Sequence, residues 1–325
     1  RQRQMCIRDR SKRESCQLMD DFFQVELGLG TISKLEKRTS EALQEPVEAA
    51  QEYVKAQDAI HLDETGWREA NDRAWLWVSA TQWVTVFLIR CRRSGKVAKE
   101  LLGEEVIPIV HSDRWSSYNW IPNHLRQLCW AHLKRDFQAF AERDGPSLQL
   151  GEQLLEQQKL IFTFWHSFLR GLSTRTELQR LCQPLRTKVG QLLRLGAERS
   201  HKKTAGTCRD ILKREEALWT FIDQDAVVPT NNFAEQQIRP GVLWRKSSFG
   251  TQSKNGSRFV ERLMTVVASL KLQKRNVLDY LVEACQAANS HSKPPSLIPV
   301  SSPHDNLLTI TLATADKGGT KRCIR

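Results

Sequence analysis

The sequence has no long hydrophobic run and no paired cysteines. Its longest apolar stretches, such as residues 83–89, fall far short of the roughly 20 residues that a membrane-spanning helix needs. The eight cysteines are scattered and form no CxxC pair, and nothing resembles the apolar core of a secretory signal. These absences argue against a membrane helix and a disulfide scaffold, and they predict a soluble cytosolic protein with reduced thiols.

Positive charge is present, but it is concentrated at the two ends. The formal net charge of the 325 residues is +12, yet residues 14–316 carry only +3. Overall basicity is therefore weak evidence for a nucleic-acid partner, and local clusters have to carry that argument. The chain starts at Arg1, and residues 1–10 show no periodicity, so we expect a fragment whose first ten residues are extraneous to the fold. We also expect a disordered tail over residues 291–325.

Residues 11–57 predict an N-terminal helical segment. Residues 11–38 have the pattern helix, turn, helix, with Thr31 or Ser33 as the cap of the second helix. This spacing fits a helix-turn-helix whose second helix enters a DNA major groove. A plain helical hairpin that packs on its neighbour is the alternative.

Residues 58–145 contain short runs that are typical of strands. AIHLDE, AWLWVSAT and WVTVFLIR follow one another closely and predict an antiparallel meander. A helix over SGKVAKELLG, a strand over EVIPIVHSD and a segment that starts as a strand in LRQLCW and turns helical follow them. We interpret the order as β-β-β-α-β-α-β, which is the succession of a ribonuclease H-like (RNase H-like) core.

Residues 146–225 predict helices only, including a capping box at Thr174-x-x-Glu177. Residues 226–290 return to the core with a helix that carries a third notable acid. The predicted fold class is therefore α/β, with an RNase H-like mixed sheet core, a large all-helical insertion and a small helix-turn-helix-like N-terminal segment.

Three acidic residues occupy distinctive positions. Asp63 and Asp113 follow apolar runs that predict strand ends, and Glu235 lies in the first turn of a helix that Pro229-Thr-Asn-Asn caps. If the first and fourth strands are neighbours, the two aspartates converge at one end of the sheet. Glu64 competes with Asp63, because strand parity alone does not choose between them. Solvated surface acids are the plain alternative for each position taken singly.

Three carboxylates close together repel one another, and hard divalent cations relieve that repulsion. Mg²⁺ (or Mn²⁺) suits oxygen ligands and leaves positions open for substrate phosphates. Two such ions activate an attacking hydroxyl and stabilise a departing oxygen. Asp63, Asp113 and Glu235 are therefore the predicted metal ligands and catalytic residues for phosphodiester hydrolysis followed by strand transfer.

The sequence segments around these acids resemble those of a known protein family. HLDETGWREANDRAWLWVSAT, VHSDRWSSYNW, QLCWAHLKRDFQAF and PTNNFAEQQIRPGVLWRKSSFGTQSKNGSRF resemble the IS66 family of bacterial insertion-sequence transposases over about residues 11–287. The resemblance implies a DDE transposase whose triad maps onto Asp63, Asp113 and Glu235. It also implies transposon-end and target DNA as partners, a homo-oligomer during synapsis, accessory transposition proteins and a location at the bacterial nucleoid.

The sequence departs from the family pattern in two places. Family members usually begin with further segments, including a cysteine zinc-binding module, which this sequence lacks. The third block commonly reads NNxAER, whereas Gln236 stands here in place of the arginine. These departures leave a catalytically incomplete, DNA-binding transposase fragment as the alternative function. A nuclease that cuts without joining is a further alternative.

Cys129-x-x-His132 is too small a set for zinc, which needs four ligands. A similar element lies between the second aspartate and the glutamate of many DDE transposases, so the resemblance implies that it supports the active site. A buried cysteine and a hydrogen-bonded histidine are the structural alternative.

Basic and aromatic residues supply candidate DNA contacts. Arg239, Arg245, Lys246 and Arg258 follow Glu235 and are predicted to bind phosphates, with the polar segment 247–258 as a DNA-facing loop. A solvated basic face is the alternative. Of the tryptophans that could stack on bases, at positions 67, 75, 77 and 115, we expect Trp75 and Trp77 to be core.

Overall fold

The computed structural model of the protein describes residues 12–299. The expectations for residues 1–10 and for the tail beyond residue 299 lie outside the described residues. Within that part of the chain, no helix is both long and apolar enough to cross a membrane.

The architecture is mixed α/β, with helices outnumbering strands. In chain order the elements are α1 (Lys12–Phe23), α2 (Leu29–Ala42), α3 (Gln44–Lys55), β1 (Ala59–Glu69), β2 (Asp72–Ala80), β3 (Thr85–Arg90), α4 (Gly95–Leu102), β4 (Ile109–Ser112), β5 (Arg126–Leu128), α5 (Trp130–Ala141), α6 (Pro146–Leu169), α7 (Arg175–Arg199), α8 (Lys202–Leu212), α9 (Thr220–Asp223), α10 (Asn232–Ser248), α11 (Lys254–Leu272) and α12 (Val277–Asn289).

The described chain divides into two compact units. The first unit comprises residues 12–107 and 233–299, and the second unit comprises residues 108–232. The division therefore falls inside the stretch 58–145, which the sequence suggested as one part of the core.

The strands of the first unit form the antiparallel meander that the sequence predicts. β1 pairs with β2 from His61 opposite Ala80 to Glu69 opposite Asp72, and β2 pairs in turn with β3. The turn between β1 and β2 holds Ala70 at a φ of 52°, in the left-handed region. Because side chains alternate along β1, odd-numbered and even-numbered residues face opposite sides of the sheet.

Helices α10 and α11 cover one face of this meander. Trp67, Leu76 and Val78 of the sheet pack with Ile238 of α10 and Met264 of α11 in one buried cluster. Each such side chain contributes roughly 1.5–3 kcal/mol when it is fully buried.

The close approach of α10 to the sheet requires Gly241. A Cβ atom on Gly241 would lie 2.3 Å from Cδ2 of Leu76. The glycine therefore sets how near α10 lies to β2 on this face.

Side chains of α11 close the outer edge of β3. Three backbone N–H groups of the strand donate to three side chains of the helix: Thr85 to Ser269 (3.0 Å), Phe87 to Thr265 (3.0 Å) and Ile89 to Glu261. The acceptors recur every four residues because such positions share a helix face, whereas the donors recur every two residues along the strand. The edge N–H groups, which would otherwise be open to pairing with another strand, are thereby satisfied.

The N-terminal helices differ from the sequence prediction at their boundary. The second helix starts at Leu29 with Gly28 as its N-cap residue, so neither Thr31 nor Ser33 caps it. Arg262 of α11 donates to the carbonyl of Ser40 near the C-terminal end of α2. This hydrogen bond joins α2 to α11, as the alternative of a helical hairpin that packs on its neighbour requires.

Part of the expected tail is packed onto the first unit. Leu297 is only 1% exposed, and its carbonyl accepts a hydrogen bond from Gln273 (2.8 Å). Tyr280 donates to the carbonyl of Pro295 (2.8 Å). Pro295 and Leu297 therefore have partners in the first unit that no local sequence pattern reveals.

In the second unit, β4 and β5 are parallel, with Val110 opposite Arg126 and Ser112 opposite Leu128. The helix that the predicted order places between the fourth and fifth strands is not formed. Two single 3₁₀ turns, Ser116–Tyr118 and Asn123–Leu125, stand there instead. Pro122 precedes the second turn, and its missing N–H and fixed φ oppose a continuous helix.

The rest of the second unit is helical, as the sequence predicts for residues 146–225. Thr174 caps α7 by accepting a hydrogen bond from the Glu177 N–H (3.2 Å), which is the first half of the predicted capping box. Trp130 and Trp219 meet edge to face, with ring centroids 5.2 Å apart, in a large apolar cluster of this unit.

Candidate active site

Asp63 lies on the face of β1 that α10 covers. His61, two residues earlier, contacts Phe233 at the start of α10, with ring centroids 5.4 Å apart. Arg245, near the end of α10, donates to the hydroxyl of Thr65 (3.2 Å). Because Asp63 lies between His61 and Thr65 and shares their parity, its side chain faces α10. Within the first unit, Asp63 and the first turn of α10 are therefore on the same side of the sheet.

Glu235 lies in that first turn and is half-buried. It follows Phe233 by two residues, so the His61–Phe233 contact places its turn beside the first half of β1. Asp63 lies inside β1, which continues to Glu69, so the prediction of a strand end at Asp63 is wrong. A carboxylate at a helix N-terminus is also favoured by the helix dipole.

Glu64 points to the opposite face of the sheet and is committed to an ion pair. Its side chain is 1% exposed, and its Oε1 lies 2.5 Å from Nη2 of Arg93. The Arg93 guanidinium also lies over the ring of Trp75, 4.8 Å from the centroid. Glu64 therefore serves the packing of the other face, and Asp63 stays the predicted ligand.

Asp113 directly follows β4 in the second unit. One carboxylate oxygen accepts a hydrogen bond from the N–H of Trp115 (2.8 Å), which holds the side chain in a local turn. Among the described residues, its other carboxylate oxygen accepts no hydrogen bond. The side chain is half-buried, so this oxygen remains available to a ligand.

A buried arginine holds the backbone at Asp113. Arg126 is fully buried and donates to the carbonyl of Asp113 (2.7 Å), to the hydroxyl of Ser112 (2.9 Å) and to the carbonyl of Tyr118 (3.2 Å). Burial, with the nearby charge of Arg214, lowers the pKa of Arg126 to about 10. The guanidinium therefore remains charged at neutral pH and fixes the segment from β4 to the first 3₁₀ turn. Sequence reasoning missed this residue, because a lone arginine at a strand start gives no sign of burial.

Cys129 and His132 lie at the same end of the parallel pair as Asp113. The N–H of Cys129 donates to the carbonyl of Ser112 (3.0 Å), and His132 is in the first turn of α5. Cys129 is 2% exposed, and its Sγ accepts a hydrogen bond from the N–H of Asn231 (3.1 Å). The buried-cysteine alternative therefore describes Cys129: it holds the loop that precedes α10.

His111 holds the same loop from β4. Its Nε2 accepts a hydrogen bond from the N–H of Val228 (3.1 Å), so the proton of a neutral ring sits on Nδ1. The loop in front of α10 is thus anchored at two points in the second unit, at His111 and at Cys129.

The predicted DNA-binding residues fall into two groups. Arg239, Lys246 and Arg258 are exposed, as a phosphate contact requires. Arg245 is half-buried and donates to Thr65 and to the carbonyl of Gly66, so it joins α10 to β1 instead of facing solvent. Gln236, which replaces the family arginine, is exposed.

Most of the predicted DNA-facing loop over residues 247–258 is helical. Ser247 and Ser248 belong to α10, and α11 starts at Lys254 after the cap residue Ser253. Between these helices Phe249 is 75% exposed. The prediction of a loop over all of residues 247–258 is wrong. The Ser253 hydroxyl accepts a hydrogen bond from the N–H of Gly256 and thereby caps the start of α11.

The tryptophans divide by burial. Trp67 and Trp77 are buried, at 2% and 0% exposed, and Trp75 is half-buried beneath Arg93. Trp115 is 38% exposed and remains a candidate for stacking on a base. Core positions for Trp77 and Trp67 follow from their alternation on strands that are covered on both faces.

Comparisons with known proteins agree with the motifs. A family model described as "Transposase IS66 family" matches residues 13–258. The chain is also similar to the uncharacterized protein y4qI of Sinorhizobium fredii (strain NBRC 101917 / NGR234), with 26% identity over 263 residues, or 71% of this chain and 48% of that protein. This chain therefore spans about half the length of that relative. No solved structure matches the chain significantly.

Proposed function

The chain belongs to the IS66 transposase family, and from that premise we propose that it is a DDE-type DNA transposase. In this proposal it hydrolyses a phosphodiester at the end of an insertion sequence and joins the freed 3′-hydroxyl to a second DNA. The observation that carries the proposal is the placement of Asp63 on the covered face of β1, on the side where Glu235 starts α10, while Glu64 is paired with Arg93.

The donor set fits divalent cations. Asp63, Asp113 and Glu235 would hold two Mg²⁺ or Mn²⁺ ions, because all three offer hard carboxylate oxygens, and within residues 12–299 one oxygen of Asp113 accepts no hydrogen bond. When bound, such ions supply Lewis-acid activation of the attacking and departing oxygens.

The chain's own residues contribute positioning. Arg126 and the Trp115 N–H orient Asp113, and Cys129 with His111 holds the loop in front of α10. The exposed residues Arg239, Lys246 and Arg258 would bind phosphates of the scissile strand. His132 remains a proposed supporting residue beside the carboxylates.

We extend the proposal to the fold. An antiparallel meander, a parallel strand pair and a third acid on a following helix are the parts of an RNase H-like core, and residues 146–225 would be its helical insertion. The α1–α2 pair would be the helix-turn-helix-like segment, although the contact of α2 with Arg262 also suits a packing role. Transposon-end DNA, target DNA, a second copy during synapsis and accessory proteins are the proposed partners.

A cleavage and joining assay tests this function. The full chain is incubated with a labelled duplex that carries the terminal repeat flanking the coding sequence, with Mg²⁺, with Mn²⁺ or with chelator. We expect metal-dependent nicking and joined product from the wild type. Asp63→Asn, Asp113→Asn and Glu235→Gln should each lose at least about a hundredfold in rate while DNA affinity stays near the wild-type value.

Asp72→Asn is the matched control, because Asp72 is an exposed strand-end aspartate of the same unit. It should cut and join as the wild type does. Cutting without joining would identify a nuclease instead. DNA binding without any cutting would favour the second candidate, a catalytically incomplete DNA-binding transposase fragment.

A further inference from the structure

The positive charge of the second unit is concentrated in two of its helices. Residues 175–214, which span α7, α8 and the turn after them, contain eleven lysines and arginines but three acids. Residues 108–174 carry a surplus of one positive charge, and residues 215–232 carry four acids and no base. The net charge of +3 over residues 14–316 hides this separation.

Seven of these eleven cations form no ion pair within the described residues. Arg175, Arg180, Arg194 and Arg214 pair with nearby acids. The unpaired cations of α7 before its last turn are Arg186 and Lys188. The other five are exposed and lie between the end of α7 and the end of α8; we call them the basic face: Arg199, Lys202, Lys203, Arg209 and Lys213. Like charges gathered on one surface repel each other, so their retention without counter-charges fits an anionic partner.

The basic face includes a cavity of about 570 Å³ at the N-terminal end of α8. Lys202, Lys203, His201 and Thr207 line it, together with Arg114 and Asp210, which are paired with each other. Asp210 is also paired with Arg214, so its negative charge is offset from two sides. Lysine ammonium groups and the positive end of the helix dipole together suit a phosphate group, whereas the Thr207 hydroxyl donates to the carbonyl of Lys203 (3.1 Å).

Gly206 provides an independent observation in the wall of this cavity. It lies inside α8, is exposed, and has no atom within 4 Å of the position that a Cβ would take. Neither packing within the protein nor a positive φ requires glycine here, although glycine is less favourable than alanine inside a helix. A bare backbone permits the close approach of a ligand.

We propose that the basic face binds the sugar-phosphate backbone of duplex DNA, with one phosphate in the cavity beside Gly206 and others along Arg209 and Lys213. The proposal rests on the proposed transposase function, since it takes DNA as the ligand. Lys202 and Lys213 are separated by roughly 16 Å along the helix axis, which corresponds to several phosphates of one strand. Contacts of this kind position a duplex without reading its sequence.

The test is the salt dependence of DNA binding by the full chain, measured by fluorescence anisotropy with a labelled terminal-repeat duplex and a scrambled duplex. The double variant Lys202→Gln/Lys203→Gln should weaken binding to both duplexes by roughly tenfold or more at 0.1 M salt. The slope of log affinity against log salt should become less negative by about two. The double variant Lys159→Gln/Arg170→Gln is the matched control, because it removes two charges of the same unit outside residues 175–214.

Gly206→Ala tests the close approach separately. We expect its melting temperature to equal or exceed that of the wild type and its affinity for both duplexes to fall at least threefold. Unchanged affinity in both Gly206→Ala and the lysine double variant would overturn the proposal. An equal loss in the lysine variant and in its control would also overturn it, because total charge alone would then explain the effect.

The outcome is separable from that of the transposase proposal. If the wild type cuts and joins DNA while the lysine variant binds normally, the proposal that the basic face binds DNA is wrong and the transposase proposal stands. If the wild type neither cuts nor joins DNA but the lysine variant loses affinity, the proposal that the basic face binds DNA is supported and the catalytic proposal fails. If the wild type binds neither duplex, both proposals fail.

Discussion

For single residues, two adjacent acids of β1 show how position on a strand separates roles, because their side chains lie on opposite faces of the sheet. Asp63 and Glu64 are both acids, but the pleat sends Asp63 toward α10 and Glu64 toward Arg93. Asp63 thereby lies on the side of the proposed chemistry, and Glu64 pairs with a cation that lies over Trp75.

Glu64→Gln should therefore reduce stability and not chemistry. Removing one partner of a buried pair leaves the other charge uncompensated, and Arg93 is itself 25% exposed. We expect a loss of about 1–3 kcal/mol in the free energy of unfolding, which urea denaturation measures. The cleavage rate per folded molecule should stay within about threefold of the wild type. A Glu64→Gln protein that folds normally but does not cut would move the metal ligand to Glu64.

At the scale of elements, the edge of β3 depends on a helix that is distant in the sequence. Ser269, Thr265 and Glu261 accept alternate N–H groups of the strand. A helix face thus takes the place of a further strand at this edge.

Thr265→Val should weaken the edge of β3, because valine keeps the shape of the threonine side chain and removes the hydroxyl that accepts a hydrogen bond. The N–H of Phe87 would lose its partner in a fully buried place, at a cost of about 1–3 kcal/mol. Hydrogen exchange of the Phe87 amide should accelerate, and the urea midpoint should fall. Thr265→Ser keeps the hydroxyl and is the control. Equal exchange rates in the valine and serine variants would show that the hydroxyl does not protect the strand.

At the scale of the whole molecule, each compact unit has its own apolar core and its own share of the proposed function. The first unit carries Asp63 and Glu235, and the second unit carries Asp113 and the basic face. The proposed chemistry and the proposed DNA binding draw on residues of both units, so we expect that neither unit alone suffices.

Divalent cations should stabilise the intact chain without any DNA. A ligand that binds only the native state raises its stability by about 2.7 kcal/mol when it is present at roughly 100 times its Kd. We expect Mn²⁺ or Mg²⁺ to raise the melting temperature of the wild type and to raise that of Asp113→Asn less. Asp72→Asn should respond as the wild type does. Identical shifts in all three proteins would argue that Asp113 does not bind the ion.

Local periodicity and short motifs were enough to predict the family, the antiparallel meander, the helical character of residues 146–225 and the three candidate acids. The sequence did not reveal the burial of Arg126, the hydrogen bonds of Arg245 to β1 or the packing of Leu297, since these depend on partners that are remote along the chain. It also could not choose between Asp63 and Glu64.

The fold shows instead which face of the sheet each of these two side chains occupies. Parity shows that two neighbours on a strand face opposite ways, but which face receives α10 and which receives Arg93 depends on how the helices pack. The same holds for the basic face: composition shows that cations are plentiful in residues 175–214, and folding decides which of them meet an acid and which stay exposed. Packing assigns these roles because a side chain's environment is set by what lies against it in space.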